Sequence, residues 1–242
     1  MPKSQTFPGK GHIYDVIVVG AGISGSEAAL RLAGAGLDVL ILTTSLDTIA
    51  NLFQERVKLD PPKKSFLEKV YKDNNHAGWL QSTDLHKWVK YGLEHSQSIH
   101  LLQSSAEKLI VEKNKVIGVE TWEGVPRYGN NTLLAVGSFL QARLTIGSLE
   151  ERAGRLGEMS YDELYTDLKQ YVSLKSHSFK IDLEEGGQSY TVNCKIIDGV
   201  QDSKVLGLDG LFATGLCAGI DSSYEEAVLD ALNAANNILK NY

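Results

Sequence analysis

Six residues early in the chain, Gly20-Ala21-Gly22-Ile23-Ser24-Gly25, have the types and spacing to do chemistry. A G-x-G-x-x-G run between a strand and a helix cradles a pyrophosphate. Its first glycine makes the tight turn, its second lets backbone approach the phosphates, and its third lets helix and strand pack closely. The unpaired N–H groups and positive dipole end of the helix complete the anion site. The flanks supply that context. Tyr14-Asp15-Val16-Ile17-Val18-Val19 runs apolar without alternation, as in a strand buried on both faces. Ser26 to Ala35 carries Ala28, Ala29, Leu32 and Ala33 at helical spacing, Gly36 stops it, and Asp38 to Thr43 is a second apolar strand. Strand, glycines, helix and strand in that order predict a dinucleotide site; the rival reading is a glycine turn that serves packing alone.

The usual ribose-binding acid at the end of the second strand is missing, for Thr43 and Thr44 stand there. Asp47 is either displaced into that role or caps the following turn, and no arginine marks a 2'-phosphate. A second glycine fingerprint is absent, so NADH or NADPH, if used, docks transiently, or the electrons come from another protein. Cys194 and Cys217 form no Cys-x-x-Cys, and the six histidines show no metal spacing; His86 and His95 read as solvent-facing. Ser24 lies in the glycine turn, not in a nucleophile elbow. Trp79, Trp88 and Trp122 read as core or rim aromatics without interleaved basic residues.

The elements that must position these residues follow from periodicity. Residues 1–12 read as a flexible tail. Ser65-Phe66-Leu67-Glu68 is a capping box opening a short helix, and Thr83 to Ser96 is a clearer one with Leu85, Trp88, Val89 and Leu93 on one face. Ile99 to Leu102 is a returning strand. A hairpin turns at Lys113-Asn114, a third short strand lies near Val125, and Thr132 to Val136 is a buried strand ending in Gly137. Residues 141–204 form a small excursion, with a helix from Tyr161 to Tyr171 and strands flanking Glu184-Glu185-Gly186-Gly187. The buried pattern resumes at Leu211-Phe212-Ala213-Thr214-Gly215, and Ser223 to Lys240 is a last helix. The fold class predicted is α/β, a doubly wound Rossmann-like sheet with a β-meander. Its domain comprises residues 13–140 and 205–242, with 141–204 inserted.

The 242 residues are 43% hydrophobic and 22% charged, which excludes a disulfide miniprotein and a disordered chain. Their net charge of −6 is the wrong sign for tracking phosphate backbones, so nucleic-acid binding is disfavoured. No run reaches transmembrane length, and the sparse cysteines fit a reducing cytoplasm.

DVIVVGAGISGSEAAL followed by VLILTTSLDTIA resembles the opening of the glucose-inhibited division protein A (GidA, or MnmG) family. LLQSSAEKLIVEKNKVIGVET, LLAVGSFLQARLTIG and GLFATGLCAGIDSSYEEA extend the resemblance in order. The resemblance implies FAD: pyrophosphate on Gly20, Ala21, Gly22, Ile23, Ser24 and Gly25, ribose near Thr43 and Thr44, and adenine read by backbone around Ala106. The glycine-ended strands bring Gly137 and Gly215 to the cofactor, and the last helix points its N-terminus, with Tyr224 and Glu225, at the flavin. Ser222-x-x-Glu225 and Ser223-x-x-Glu226 are also overlapping capping boxes that need no ligand. The sequence departs from the family at Gln54, where the tRNA-modifying members carry a cysteine, and at Leu216, where flavoproteins place Asp or Gln. Cys217 is either a redox partner of the flavin or inert packing. The implied function is an FAD-dependent oxidoreductase of unassigned substrate. The alternatives are a non-catalytic FAD-binding module and a reduced tRNA wobble-uridine modification protein, and a homo-oligomer is one way to cover an exposed flavin face.

Overall fold

The computed structural model describes residues 8–9, 11–182 and 189–242. The chain opens with β1 (Ile13–Val19), α1 (Ile23–Gly34) and β2 (Val39–Thr43), the two strands parallel with Val16 opposite Val39. The pair β3 (Arg56–Val57) and β4 (Leu80–Gln81) brackets α2 (Phe66–Asn74), and α3 (Ser82–His95) leads into β5 (Ile99–Gln103), parallel to β2. A meander follows: β6 (Ala106–Glu112), β7 (Lys115–Thr121) and β8 (Pro126–Leu134). The excursion contributes β9 (Arg143–Ile146), β10 (Leu149–Glu151), β11 (Ala153–Arg155), β12 (Glu158–Met159), α4 (Glu163–Leu168), β13 (Leu174–Ile181) and β14 (Tyr190–Ile197). The chain closes with β15 (Val200–Gln201), β16 (Lys204–Val205), β17 (Leu211–Ala213), a 3-10 turn at Gly215–Ala218 and α5 (Tyr224–Leu239).

The main sheet runs β15-β16-β17-β8-β1-β2-β5, with β7 and then β6 attached through β8. Its centre, from β17 to β5, is parallel. The predicted doubly wound α/β fold is therefore the one observed. Strand periodicity of two divides the core. Val16, Val18, Val39 and Ile41 face α1, α3 and α5 through Ala28, Leu32, Leu85, Leu93, Ala231 and Ile238. Ile17, Val19, Leu40 and Leu42 face the meander and α4 through Leu109, Val119, Leu164 and Leu168.

Several expectations are corrected. The strand near Val125 and the buried strand after Thr132 are one continuous strand, β8. Its first residues pair antiparallel with β7 and its later ones run parallel to β17, while β1 lies alongside from Tyr128 onward. Gly129 permits the passage, because a Cβ there would stand 2.8 Å from Ile17 Cγ1. α4 is only six residues long, and Asp167 anchors it by accepting from Leu109 N–H at 2.8 Å. The short strands β9 to β12 carry too few residues to show a period. β9 joins β10, β14 and β13 in an antiparallel sheet, whose core is Ala142, Leu144, Tyr190, Val192, Cys194 and Ile196. The turn at 184–187 lies outside the described residues, as does the tail through residue 7. Within the expected tail of residues 1–12, His12 Nε2 meets Asp38 Oδ2 at 2.6 Å.

Candidate cofactor site

The C-terminal ends of β1, β2 and β8 open onto a cavity of about 550 Å³, the crevice where doubly wound sheets bind ligands. Gly20 turns the chain off β1 with φ +105°, and a Cβ there would stand 2.3 Å from Ala135 O. At Gly25 a Cβ would stand 2.0 Å from Gly20 O, so this glycine lets α1 settle on the strand it follows. Gly22 differs: nothing lies within 4 Å of its missing Cβ, and it lines the cavity. It is also the N-cap of α1, with no side-chain cap and no acid in the first turn. Leading N–H groups of that helix thus lack intrahelical partners and await an anion. These features fit a pyrophosphate.

Of the residues predicted for the site, Gly20, Ala21, Gly22, Ile23, Ser24, Thr43, Thr44, Ala106, Gly137, Tyr224 and Glu225 line this one cavity. Gly25 and Gly215 stand behind the wall. Gly215 N–H donates to Asp230 Oδ2 at 2.9 Å, and a Cβ on it would stand 2.5 Å from Ser24 Oγ, so its absent side chain serves the approach of the C-terminal segment to the glycine turn. Its neighbours Thr214 and Leu216 form the wall instead. Asp47 takes neither role foreseen for it: its carboxylate is exposed and pairs with Lys90 at 3.5 Å, while Ser45 Oγ supports the turn by accepting from Asp47 N–H. Thr43 Oγ1 donates to Ser45 O at 3.1 Å.

α5 brings a second helix N-terminus to the cavity, where Ala227 O accepts from Ser24 Oγ at 3.2 Å. The capping forecast holds for Glu226, whose N–H donates to Ser223 Oγ at 3.1 Å and whose carboxylate accepts from Ser222 Oγ. It fails for Glu225, whose carboxylate accepts from Asp60 N–H at 3.0 Å and ties a loop to the helix. Both acids sit in the first turn and offset the dipole there.

The cavity is also lined by residues that belong to none of the sequence motifs, among them Asn51, Phe53, Arg155, Glu158 and Phe179. Arg155 Nη2 pairs with Glu158 Oε1 at 2.6 Å, Asn51 Nδ2 donates to the same oxygen at 3.0 Å, and Arg155 lies 5.5 Å over the Phe53 ring. No local pattern could have joined residues a hundred positions apart. Tyr224 Oη accepts from Phe53 N–H at 3.0 Å and donates to Gln54 Oε1 at 2.8 Å. Burial pushes the Tyr224 phenol up to about 12, so it keeps its proton.

Cys217 is packing. It is fully buried, its one S–H proton has Leu134 O and Thr214 O within reach as acceptors, and burial pushes the thiol up to about 11. His86 is not solvent-facing but half-buried, with Nδ1 on Ile49 O at 2.8 Å. Basic side chains do lie over two tryptophans: Arg56 at 4.7 Å and Lys58 at 4.8 Å from Trp79, and Lys87 at 5.2 Å from Trp88. Among the described residues no group of His, Cys, Asp and Glu could hold a metal, and no helix is long and apolar enough to cross a membrane.

Fold and cavity define a dinucleotide-binding protein built on a Rossmann-type sheet. The chain belongs to the Glucose inhibited division protein A family, which it matches over residues 15–55 and 75–198. The GidA-related protein from Thermus thermophilus is 34% identical, with a TM-score of 0.85 covering 96% of this chain and 100% of that one. Aquifex aeolicus GidA shares the fold at 15% identity, with a TM-score of 0.83 over 93% of this chain and 63% of its own. The tRNA uridine 5-carboxymethylaminomethyl modification enzyme MnmG of Chlamydia muridarum is 32% identical over 193 residues, 68% of this chain. The match spans 31% of that relative's length.

Proposed function

We propose that this chain is an FAD-dependent oxidoreductase. In this reading residues 13–140 and 205–242 hold the cofactor and the 141–204 insertion roofs it. The observation that carries the reading is a single cavity whose lining is of two kinds. Part is the glycine turn and bare helix N-terminus described above; an apolar part is walled by Phe53, Phe179, Ile181 and Leu216 around a few polar groups, as a substrate pocket is. The bound flavin supplies the redox chemistry. The chain's own residues do the rest: the α1 N–H groups and Gly22 seat the pyrophosphate, Ser104 to Ala106 offer backbone to the adenine, and the apolar part keeps water from the reacting face. The protonated phenol of Tyr224 holds Gln54 in place. A reductant, NADH or NADPH or another protein, docks transiently at the open side.

The tRNA modification named for the MnmG relatives is a weaker reading for this chain. The net charge of −6 disfavours a phosphate backbone, and Gln54, which no base could turn into a nucleophile, lines the cavity. The test is the visible spectrum of the purified protein, chromatography of any released nucleotide, and anaerobic titration with NADH and NADPH. Stoichiometric FAD reduced by either nucleotide supports the proposal. FAD that no reductant reaches and no acceptor reoxidises would leave a cofactor-binding module, and a protein that neither contains nor takes up FAD would overturn the reading.

A further inference from the structure

The polar groups beside the apolar part of the cavity are arranged so that only some remain available. Arg155 is committed to Glu158 and to the carbonyl of Asn51, and Asp221 to His177 at 2.9 Å. Gln54 is different. The hydrogen-bond chain runs Phe53 N–H to Tyr224 Oη, then Tyr224 O–H to Gln54 Oε1. A main-chain N–H can only donate, so the phenol must pass its own proton onward, and Gln54 must answer with its oxygen. The reversed amide would leave the phenolic proton with no acceptor. The orientation of Gln54 is therefore fixed by its neighbours, and its Nε2, which has no partner among the described residues, is left as a donor on the cavity wall. Phe53 and Phe179 stand edge to face beside it, their ring centroids 5.6 Å apart.

We propose that Gln54 determines substrate specificity: its Nε2 donates to the carbonyl oxygen of a substrate whose apolar body packs against Phe53 and Phe179. The assignment rests on the oxidoreductase reading above and names its substrate class. An amide N–H donor finds its match in a carbonyl oxygen, and a ligand that covered it without offering an acceptor would give up the hydration of that donor. The two rings, Phe53 and Phe179, favour a ligand with apolar surface. A hydrocarbon of the same shape is rejected, since it would cover the amide and leave it unpaired.

The experiment compares chromone with 4H-chromene, which keeps the ring double bond and lacks the carbonyl, by titration into the FAD-loaded protein. Binding is read from perturbation of the flavin spectrum and, independently, by calorimetry. Wild type binds chromone about tenfold more tightly than 4H-chromene, the effect of one good hydrogen bond. In Gln54→Leu the preference falls to about one at unchanged FAD content. Gln54→Glu keeps the shape but presents an acceptor and loses the preference as well, and Tyr224→Phe weakens it by freeing the amide to turn. A preference that survives Gln54→Leu, or wild type that binds neither probe, overturns the assignment. So does loss of FAD in Gln54→Leu, which would place the amide on the cofactor. Were the protein to hold no FAD, calorimetry would still compare the probes: a chromone preference abolished by Gln54→Leu would keep the Gln54 assignment while the oxidoreductase reading fell.

Discussion

Gly22 and Gly25 share a motif but do different work, and a single methyl group separates their roles. At Gly25 an added Cβ meets Gly20 O at 2.0 Å, so Gly25→Ala forces α1 off its strand and lowers the thermal midpoint by several degrees or prevents folding. At Gly22 the same methyl enters open space from a φ of −67°, which alanine adopts freely. Gly22→Ala therefore keeps the thermal stability of the apoprotein and weakens FAD binding by at least about tenfold, because the methyl occupies ground a phosphate must approach. Thermal melts and FAD titration of the two variants check both halves. The glycines were legible because their chemistry is local and their order with the strand and helix is stereotyped. Glu225 was misread for the opposite reason: a serine three residues ahead makes a capping box on paper, yet the carboxylate finds the N–H of Asp60, a partner no spacing rule contains.

At the scale of elements, α2 owes its position to a side chain of α1. Glu27 is buried, and its two oxygens accept from Phe66 N–H at 2.7 Å and Leu67 N–H at 3.1 Å, the leading groups of α2, while Ser65 accepts from Glu68 N–H at 2.9 Å. Glu27→Ala leaves those donors unpaired and costs about 2 kcal/mol in urea unfolding. Burial raises the Glu27 pKa, outweighing the two N–H groups that lower it. The folded chain therefore holds this proton to higher pH than the unfolded chain. The resulting stability is complete below the ordinary carboxyl range and is lost as pH rises through the raised value. Glu27→Gln does not titrate. The stability of wild type relative to this variant thus declines as pH rises upward from the ordinary carboxyl range, which unfolding curves at several pH values will show. The Ser65 cap was legible from its box, whereas Glu27 looked like any polar residue of a helix, since its partners come from another element.

Taken as a whole molecule, the chain buries both of its thiols: Cys194 is pushed up to about 12 and Cys217 to about 11, each mainly by burial. A disulfide reagent near pH 8 should therefore react with neither cysteine in the folded protein, and both should react together as denaturant unfolds it. Prompt modification of one thiol in native buffer would show a local opening that the packing does not predict. The long parallel strands and their helices were legible because they are buried on both faces or carry a continuous apolar stripe. The roof was not: β9 to β12 are two to four residues each, and they are held by pairings with one another and with β14. The continuity of β8 was hidden as well, since its polar middle, Tyr128-Gly129-Asn130-Asn131, reads as a break between strands.

Ser24 Oγ donates to Ala227 O at 3.2 Å, and Gly215 admits Ser24 at close range, so the glycine turn is clasped by a segment made some two hundred residues later. On a ribosome the two halves of that clasp emerge on the order of ten seconds or more apart. The nascent chain therefore offers a nucleotide only half a seat for most of its elongation. Cofactor capture becomes one of the last events of biogenesis, and an abortively terminated chain is left colourless.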